Sequence, residues 1–232
     1  MKIHQLLSAA LDVVLPRACP VCGRSLDGDE RWLCRECLAN LPLTHLDTVP
    51  FNAMEQLFAG KVPIERATGY FYYEKGSPYA SILHDIKYRH APKMGQWLAA
   101  RAMRDMPDFA RDIDVVVPVP LHIDKQVKRG YNQSRYIALG VAQTTGAQVV
   151  EAVKAVRSHS TQTHKGALER WRNTLGAYAL APGMEQQLAG KRTLVVDDVV
   201  TTGSTLEACI SVLQTVPGIT ISVFTLAVSR LT

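Results

Sequence analysis

Two carboxylates stand directly before a run of small hydroxyl residues in the stretch LVVDDVVTTGSTLEAC, residues 194–209. The apolar letters before Asp197 and Asp198 predict a buried strand, and the periodic apolar letters after Gly203 predict a helix. Unpaired N–H groups at the start of such a helix, together with the helix dipole, favour binding of a dianionic phosphate. The two carboxylates would repel that phosphate, but they can accept hydrogen bonds from sugar hydroxyls. A ribose 5-phosphate would therefore satisfy both halves of the stretch.

The phosphate-binding half is the loop of residues 201–205, called the phosphate loop below. Gly203 allows its backbone to approach a ligand closely, and four residues offer hydroxyls to the same anion: Thr201, Thr202, Ser204 and Thr205. An ATPase would need a Gly-x4-Gly-Lys-Ser/Thr loop, which the sequence lacks. A response-regulator receiver carries its acidic pair near the start of its domain, whereas only 34 residues follow Asp198. The remaining alternative is an acidic strand end followed by a polar turn.

Four of the five cysteines form two Cys-x2-Cys pairs with eleven residues between them: Cys19, Cys22, Cys34 and Cys37. Two such pairs can build a closed tetrahedral thiolate site, which suits zinc in a structural role. Two disulfides, a redox pair and an iron–sulfur cluster are the alternatives, and the paired spacing in a cytosolic chain favours zinc over them. Cys209 lies in an apolar-periodic stretch, where we expect a buried small hydrophobic residue.

Strands and helices alternate along the rest of the chain, which predicts an α/β fold with a mainly parallel sheet. The β-branched runs DVVVP and TLVVD are typical of strands that are covered on both faces. Ligands of such sheets bind at the carboxyl ends of the strands. The sequence therefore places VPVPLH (117–122) and DDVVTTGST (197–205) at one functional edge.

The chain divides into three predicted parts: an N-terminal helix and four-cysteine zinc-ribbon-like module at 1–45, a connector at 46–65 and the α/β domain at 66–232. The expected elements include a strand at 67–76 and a second strand over 147–157. A helix is predicted to begin with Ser77 as N-cap and Pro78 at its first position. The segment from 121 to 133 is predicted to be a basic loop.

Composition and charge allow an anionic partner without requiring one. The chain has 232 residues, 47% of them apolar and 20% charged, with a formal net charge of +5. This is the composition of an ordinary globular protein. No apolar run approaches the ~18–20 residues of a transmembrane helix. We therefore expect a cytoplasmic protein without a transmembrane segment.

The stretch 194–209 closely resembles the signature of type I phosphoribosyltransferases. Those enzymes bind phosphoribosyl pyrophosphate (PRPP) through an apolar strand, an acidic pair and a Thr/Gly loop. The resemblance implies a phosphoribosyltransferase-like fold, with the sugar hydroxyls at Asp197 and Asp198 and the 5-phosphate at residues 201–205. It also implies Mg²⁺, which in that family bridges the ribose hydroxyls and the pyrophosphate and which prefers phosphate and water ligands.

Further motifs make the chain similar to the ComF/GntX family over nearly its whole length. Besides the four-cysteine module these are VPVPLH (117–122), KRGYNQS (128–134) and TQTHKGALERWRNTLGAY (161–178). Tyr131 and Tyr178 stand where that family often has phenylalanine. Lys87 in HDIKYR matches a basic position of the family's early helix.

The resemblance assigns a pyrophosphate side to the site. VPVPLH corresponds to the position where phosphoribosyltransferases bind pyrophosphate through backbone amides, and the prolines leave those of Val119 and Leu121. Arg129 is a candidate for a bidentate clamp on the pyrophosphate, and Lys87 is a further cation on this side. The alternatives are prolines that merely end a strand and a basic loop that merely faces solvent.

Two functions follow from the resemblance. The ComF likeness implies a protein that binds PRPP or a related phosphoribosyl ligand with Mg²⁺ and acts in competence-linked uptake or handling of single-stranded DNA, with proteins of the DNA-uptake machinery as partners. The phosphoribosyltransferase likeness implies an enzyme that transfers ribose 5-phosphate from PRPP to a nitrogen acceptor in nucleotide metabolism or salvage. The residues leave the catalytic groups and the acceptor open.

Single-stranded DNA would find cations and an aromatic ring in the segment 157–172. The residues in question are Arg157, His159, His164, Lys165, Arg170, Trp171 and Arg172. Cations combined with aromatic stacking are typical of single-strand binding. A solvated basic face is the competing interpretation of the same residues.

Overall fold

A five-stranded parallel sheet lies at the centre of the fold. The computed structural model describes residues 17–89, 91–121, 123–156 and 177–229. The sheet strands are β1 (Ala67–Tyr73), β2 (Val115–Pro118), β3 (Gln148–Val149), β6 (Arg192–Val200) and β7 (Thr220–Ser229), with β4 (Val153–Ala155) and β5 (Tyr178–Leu180) forming a separate antiparallel pair. The sheet order is β1-β7-β6-β2-β3, and every neighbouring pair is parallel. The predicted α/β fold with a parallel sheet is confirmed.

The helices pack on both faces of this sheet. They are α1 (Arg35–Ala39), α2 (Ala53–Gln56), α3 (Ala80–Tyr88), α4 (Pro92–Asp105), α5 (Pro107–Ala110), α6 (Ile123–Arg129), α7 (Gln133–Thr145), α8 (Met184–Leu188) and α9 (Ser204–Leu213). One apolar core joins α3, α4, α7 and residues 19–41 to the sheet. The second core joins residues 46–62, the β4–β5 pair, α8 and α9 to the other face. Strands β2 and β6 are buried from both sides, which explains their unbroken β-branched runs.

Helix α4 lies between α3 and α7. The backbones of α4 and α7 are in direct van der Waals contact. A Cβ atom placed on Gly140 of α7 would lie 2.1 Å from the carbonyl oxygen of Gln96 in α4. At Gly95 of α4 an added Cβ would be 3.5 Å from Ile86 of α3, an ordinary contact. The separation of α4 and α7 is therefore set by the absence of a side chain at position 140.

The segment from Pro42 to Val62 runs along the edge of β1 and then across the second core. Pro42 O accepts a hydrogen bond from Tyr72 N at 2.8 Å, and Thr44 N donates to Tyr70 O at 3.1 Å. A short 3-10 helix (Leu46–Thr48) and α2 follow. Asn52 caps α2 in a capping box with Glu55. Residues 46–65 thus carry defined structure, and the boundaries of the predicted parts stay a prediction.

Helix α3 and helix α6 differ from expectation. Helix α3 begins at Ala80 with Tyr79 as N-cap, because Ser77–Tyr79 form a turn with 3-10-type hydrogen bonds before the helix. Residues 123–129, predicted as part of a loop, form α6. This stretch contains no glycine or proline, and Gly130 ends it with a positive φ of 78° and a hydrogen bond from its N–H to Gln126 O.

The predicted strand over 147–157 is two short strands with different partners. Strand β3 pairs with β2 and extends the parallel sheet, whereas β4 pairs with β5. The predicted N-terminal helix within 1–16 and the basic segment 157–172 lie outside the described residues. Within the described ranges, no helix combines the length and the apolar character needed to cross a membrane. The predicted cytoplasmic location stays a prediction.

Candidate functional site

The carboxylate pair Asp197 and Asp198 lies near the carboxyl end of β6, the strand between β7 and β2. Both side chains are buried, with 9% of Asp197 and 4% of Asp198 exposed. Burial of two adjacent carboxylates is costly unless each has hydrogen-bonding or charged partners. The partners come from two helices on the same side of the molecule, α3 and α7.

Asp197 is held by α7. Its Oδ1 atom accepts a hydrogen bond from Ser134 Oγ at 2.8 Å and a second from the N–H of Asp198 at 2.9 Å. Burial, followed by the charge of Asp198, raises the pKa of Asp197 to about 7, although these hydrogen bonds and Lys87 act in the opposite direction. Asp197 therefore changes charge near neutral pH, where a ligand hydroxyl would meet either a carboxylate or a carboxylic acid.

Asp198 is held by α3. Lys87, in the last turn of that helix, places its Nζ 3.0 Å from Asp198 Oδ2, and only 20% of the lysine side chain is exposed. Among the described residues, no well-aligned hydrogen bond reaches this buried oxygen. Lys87 was expected on the pyrophosphate side of the site. The structure places its ammonium group against the carboxylate pair, so one lysine neutralises part of the buried charge.

The phosphate loop follows β6 without an intervening segment. Strand β6 ends at Val200, and α9 begins at Ser204 with Gly203 as its N-cap at φ 78°. A small cleft is lined by Asp197 and by residues 199–206. The N–H groups of the first turn of α9 have no partner within the helix. The structure thus places Asp197 and the phosphate loop at one cleft, with Asp198 beside them in sequence.

Gly203 is favoured by its backbone conformation, and it packs against Phe58. Its φ lies in the left-handed region, which strains a residue with a side chain. An added Cβ would also lie 3.4 Å from Cε1 of Phe58, the buried aromatic residue that follows α2. Phe58 therefore supports the back of the phosphate loop. Residues 46–65 were interpreted only as a connector, although the apolar spacing of Met54, Leu57 and Phe58 is typical of a packed helical turn.

The loop after β2 presents fewer free amides than expected. Val119 N donates to Val196 O at 2.9 Å and so continues the β2–β6 ladder. A pyrophosphate contact by this N–H requires the sheet hydrogen bond to break. The role predicted for Leu121 stays a prediction.

The segment from Arg129 to Ser134, called the bridging segment below, connects the elements around the carboxylate pair. Arg129 stacks its guanidinium 5.0 Å from the ring centre of Tyr88 in α3 and donates to Gln133 Oε1 at 3.0 Å. Tyr131 OH donates to Ile86 O at 2.6 Å. Arg129, predicted as a pyrophosphate clamp, is therefore partly engaged in holding the bridging segment against α3.

Asn132 joins the bridging segment to the loop after β2. Its Nδ2 donates to Val119 O at 3.0 Å, and its Oδ1 accepts from Ser134 N at 3.0 Å as the N-cap of α7. Sequence reasoning placed a basic loop here and gave Ser134 no role. A helix was expected from Ser134 onward, and the Asn-Gln-Ser order ahead of that apolar-periodic run is an N-cap signal that would have identified Asn132 as the cap.

The four cysteines lie together. The thiol sulfurs of Cys19, Cys22, Cys34 and Cys37 are all within 4.8 Å of one another, and each cysteine is free. Cys34 caps α1 by accepting from Cys37 N at 3.4 Å. Gly23 follows the first pair with φ 75°, and its N–H donates to Cys19 O at 2.8 Å. This arrangement is a four-cysteine site that can hold a metal ion.

A charged network braces this cysteine site. Buried Glu30 accepts two hydrogen bonds from Arg24, at 2.7 and 2.9 Å, and others from the backbone N–H groups of Asp27 and Arg35. Those backbone N–H groups, followed by Arg24, lower the pKa of Glu30 to about 2. The network ties the loop between the two cysteine pairs to α1.

The cysteine site also contacts the helix that carries Lys87. Tyr79, the N-cap residue of α3, donates its hydroxyl proton toward Asn40 O at 2.8 Å and Cys37 O at 3.2 Å. Leu33, Cys34 and Cys37 belong to the same apolar core as α3. The four-cysteine part and the carboxylate pair are therefore connected through one helix.

Comparison with known proteins agrees with this geometry. Residues 134–228 match the phosphoribosyl transferase domain family, a range that begins at Ser134 and contains the carboxylate pair and the phosphate loop. The chain is 29% identical over 194 residues to DNA utilization protein YhgH of Salmonella typhimurium, covering 81% of this chain and 80% of that protein. The corresponding protein of Escherichia coli strain K12 is 28% identical with the same coverage. Competence protein F of Haemophilus influenzae is 34% identical over 94 residues, covering 40% of this chain and 41% of that protein.

Among solved structures, a glutamine PRPP amidotransferase from B. subtilis complexed with ADP and GMP is similar with a TM-score of 0.37. The identity is 20%, over 57% of this chain and 25% of that chain. Residues 134–228 are therefore similar to phosphoribosyl transferase domains, and the chain has relatives named for DNA utilization and competence, as the sequence motifs indicated.

Asp197→Asn should stabilise the folded protein more at pH 8 than at pH 5. Since folding raises the pKa of Asp197 to about 7, the folded state binds more protons than the unfolded chain between about pH 4 and 7, and stability is lost as the pH rises through this window. Asparagine removes this loss and can still accept the hydrogen bonds at Oδ1. We expect the melting temperature of the variant to exceed that of the wild type by at least ~2 °C at about pH 8.

The matched control is Asp114→Asn. Hydrogen bonds from Arg192, first that of its backbone N–H, lower the pKa of this carboxyl, so its removal should reduce stability above about pH 4. Thermal melts of the wild type and both variants between about pH 4 and 8 measure whether each substitution raises or lowers the melting temperature. A difference between wild type and Asp197→Asn that does not change with pH would contradict the raised pKa.

Proposed function

We propose that this chain, with its phosphoribosyl transferase domain and its relatives named DNA utilization protein YhgH and Competence protein F, binds PRPP or a related phosphoribosyl ligand with Mg²⁺. Its cellular role is in competence-linked uptake or handling of single-stranded DNA. The observation that carries the ligand assignment is the buried carboxylate pair directly beside the phosphate loop, with Asp197 lining the same cleft as that loop. Few ligands other than a sugar phosphate need both features so close together.

The two halves of the ligand would be bound by opposite electrostatics. Asp197 and Asp198 accept hydrogen bonds from ribose hydroxyls, while the N–H groups and hydroxyls of residues 201–205 bind the 5-phosphate. Strand β6 ends at Val200 and α9 begins at Ser204. This short connection fixes the distance between the carboxylates and the phosphate loop. Uncharged ribose between them separates the phosphate from the carboxylates.

Mg²⁺ would bind mainly through oxygens of the ligand and water, as it does with phosphates in general. When bound, it would supply positive charge that offsets the negative charge of the ligand. Lys87 is the resident cation nearest the carboxylate pair. Arg129 lies on the adjoining bridging segment, and its guanidinium group would donate two parallel hydrogen bonds to a pyrophosphate.

Zinc is the metal that the four-cysteine site fits. A tetrahedral site with Zn–S bonds of about 2.3 Å has sulfurs ~3.8 Å apart, and Cys22 Sγ lies 3.7 Å from Cys34 Sγ. Four thiolates leave no position for a substrate, so the metal is structural. A part as short as residues 17–41 cannot form a large apolar core by itself, so the metal would supply much of its folding free energy.

The wild-type protein should bind PRPP in the presence of Mg²⁺, and Asp197→Asn/Asp198→Asn should bind it at least about tenfold more weakly because the ribose hydroxyls lose charged acceptors. Isothermal titration calorimetry measures both. The matched control is Asp112→Asn/Asp114→Asn, which removes two carboxylates at the opposite end of β6 and should leave binding unchanged. Absence of binding by the wild type would refute the ligand assignment.

Pyrophosphate release from the same samples separates the two functions. A binding protein releases none when nitrogen bases and amines are added with PRPP and Mg²⁺. Release that depends on one acceptor would establish the alternative, a phosphoribosyltransferase in nucleotide metabolism or salvage. Such an enzyme would act mostly by positioning the reactants and neutralising the leaving pyrophosphate.

Purified protein should contain one zinc per chain, measured by elemental mass spectrometry. Cys34→Ala removes a buried ligand and should abolish the bound zinc and lower the melting temperature, because binding and folding are coupled. Cys209→Ala is the matched control: it removes a buried thiol in α9, far from the four cysteines in the fold. It should retain full zinc. A folded wild-type protein without metal would overturn the zinc assignment.

Single-stranded DNA would meet a cationic and aromatic surface beside the site. Tyr88 has 55% of its surface exposed and stacks with Arg129, while Arg89 and Lys128 are exposed neighbours in sequence. The predicted strip of 157–172 lies outside the described residues. Exposed rings paired with arginine stack well with unpaired bases. The net charge of +5 also favours an anionic partner such as single-stranded DNA.

A labelled single strand should bind the full chain with an affinity that falls steeply with salt, since each phosphate contact releases about 0.7 counterion. Fluorescence anisotropy over a salt series measures the slope. Tyr88→Ala should weaken binding at every salt concentration without changing the slope, because it removes stacking but no charge. Tyr72→Ala, which removes a half-buried ring elsewhere, is the control. No binding at low salt would refute direct contact with DNA.

A further inference from the structure

Ser134 is almost fully buried, with 1% of its surface exposed, although it lies in the first turn of α7 and could have faced solvent. Its hydroxyl donates to Asp197 Oδ1 across 63 residues of sequence. A buried serine whose one donor is spent on a buried carboxylate fixes the orientation of that carboxylate. The second donor to the same oxygen, the N–H of Asp198, has no rotational freedom.

Both hydrogen bonds to Asp197 use Oδ1 and leave Oδ2 without one from the described residues. Asp197 also lines the cleft formed with the phosphate loop. Because Oδ1 is occupied, Oδ2 is the oxygen of this cleft-lining residue that is left to accept a ligand hydroxyl. Without Ser134 the carboxylate could rotate about its χ2 bond and exchange its two oxygens.

Ser134 is itself positioned by the loop after β2. Asn132 accepts from Ser134 N and donates to Val119 O, each at 3.0 Å. Three consecutive side chain–mediated hydrogen bonds therefore run from the loop after β2 through the start of α7 to Asp197. A change in that loop is transmitted to the carboxylate by atoms in direct contact.

We propose that Ser134 is a positioning residue for the phosphoribosyl ligand, holding Asp197 so that Oδ2 accepts a ribose hydroxyl, with Asn132 coupling this arrangement to the loop after β2. The inference rests on the proposed ribose contact of Asp197. It adds a residue outside the carboxylate pair and the phosphate loop, and it explains why KRGYNQS ends in a serine.

The pH dependence of this arrangement involves four other groups that act on Asp197 or respond to its charge. They are Asp198 on the same strand, Lys87 on α3, Cys209 on α9 and Tyr178 on β5. Cys209 and Tyr178, whose pKa values are raised by burial, stay neutral over the pH range of interest. Ser134 stabilises the ionised form of Asp197, so its removal should raise the pKa of that carboxyl.

Ser134→Ala should weaken binding of ribose 5-phosphate at least about tenfold at neutral pH, because a hydrogen bond to a charged group is lost. The pH at which binding reaches half its maximum should move upward, and Ser134→Thr should restore both values. Binding of inorganic phosphate, which needs only the phosphate loop, should change less than about twofold. Calorimetric or NMR titration of the full chain with ribose 5-phosphate and with inorganic phosphate, between about pH 5.5 and 8.5, measures how differently the substitution affects the two affinities.

Thr144→Val is the matched control because it removes a hydroxyl hydrogen bond from the same helix, Thr144 Oγ1 to Ala100 O at 3.1 Å, without touching Asp197. It should leave ribose 5-phosphate affinity unchanged. Equal weakening by Thr144→Val and Ser134→Ala would overturn the proposal and assign Ser134 to helix packing alone. Unchanged affinity and pH midpoint in Ser134→Ala would overturn it as well.

A measurement without ligand separates this inference from the proposed function. The ¹³C resonance of the Asp197 carboxyl reports its titration directly, and its midpoint should be higher in Ser134→Ala than in the wild type. If the wild type binds no ribose 5-phosphate, the ribose contact fails and the positioning role fails with it, while a shifted midpoint still confirms the hydrogen bond. If ribose 5-phosphate binds but the midpoint does not shift, the proposed function stands and Ser134 has no part in it.

Discussion

The burial of two adjacent carboxylates in the central strand is the constraint on which the surrounding structure depends. Neither Asp197 nor Asp198 can leave water without a partner, and the two partners come from different helices. The ion pair of Lys87 with Asp198 forms only if the end of α3 lies beside β6. The hydrogen bond from Ser134 to Asp197 likewise forms only if the start of α7 lies beside that strand. The bridging segment then connects these two helix ends through Tyr131. The placement of α3 and α7 is thus determined by electrostatics as much as by apolar packing.

The opposite face of the sheet meets a different need. The phosphate loop has to turn sharply from strand into helix, and its glycine leaves a surface that Phe58 covers. The segment that carries Phe58 is held to β1 by backbone hydrogen bonds at Pro42 and Thr44. It begins just after the four-cysteine site. The four-cysteine part therefore contacts, through Tyr79, the helix that carries Lys87, and the segment that directly follows it places Phe58 behind the phosphate loop.

Sequence reasoning was strongest where one local pattern determines the outcome. The β-branched runs, the cysteine spacing and the Asp-Asp stretch each carry their own physical reason, and the structure brings those residues together as predicted. It was weakest for contacts between distant residues. No periodicity reveals that Lys87 meets Asp198 or that Val119 spends its N–H on Val196. Helix α6 was missed because a basic composition was interpreted as a loop, although only Gly130 interrupts the helical pattern.

The close approach of α4 and α7 at Gly140 has a consequence for the precision of the site. Gly140 lies six residues beyond Ser134 on the same helix, about 9 Å along its axis. A methyl group there would collide with the backbone of Gln96 and push α7 outward as a rigid body. The bond from Ser134 to Asp197 is 2.8 Å long, and O–H···O bonds are normally about 2.5–3.0 Å, so an outward shift of α7 would lengthen it beyond the usual range. The absence of a side chain at Gly140 therefore keeps α7 close enough to β6 for Ser134 to hold the Asp197 carboxylate.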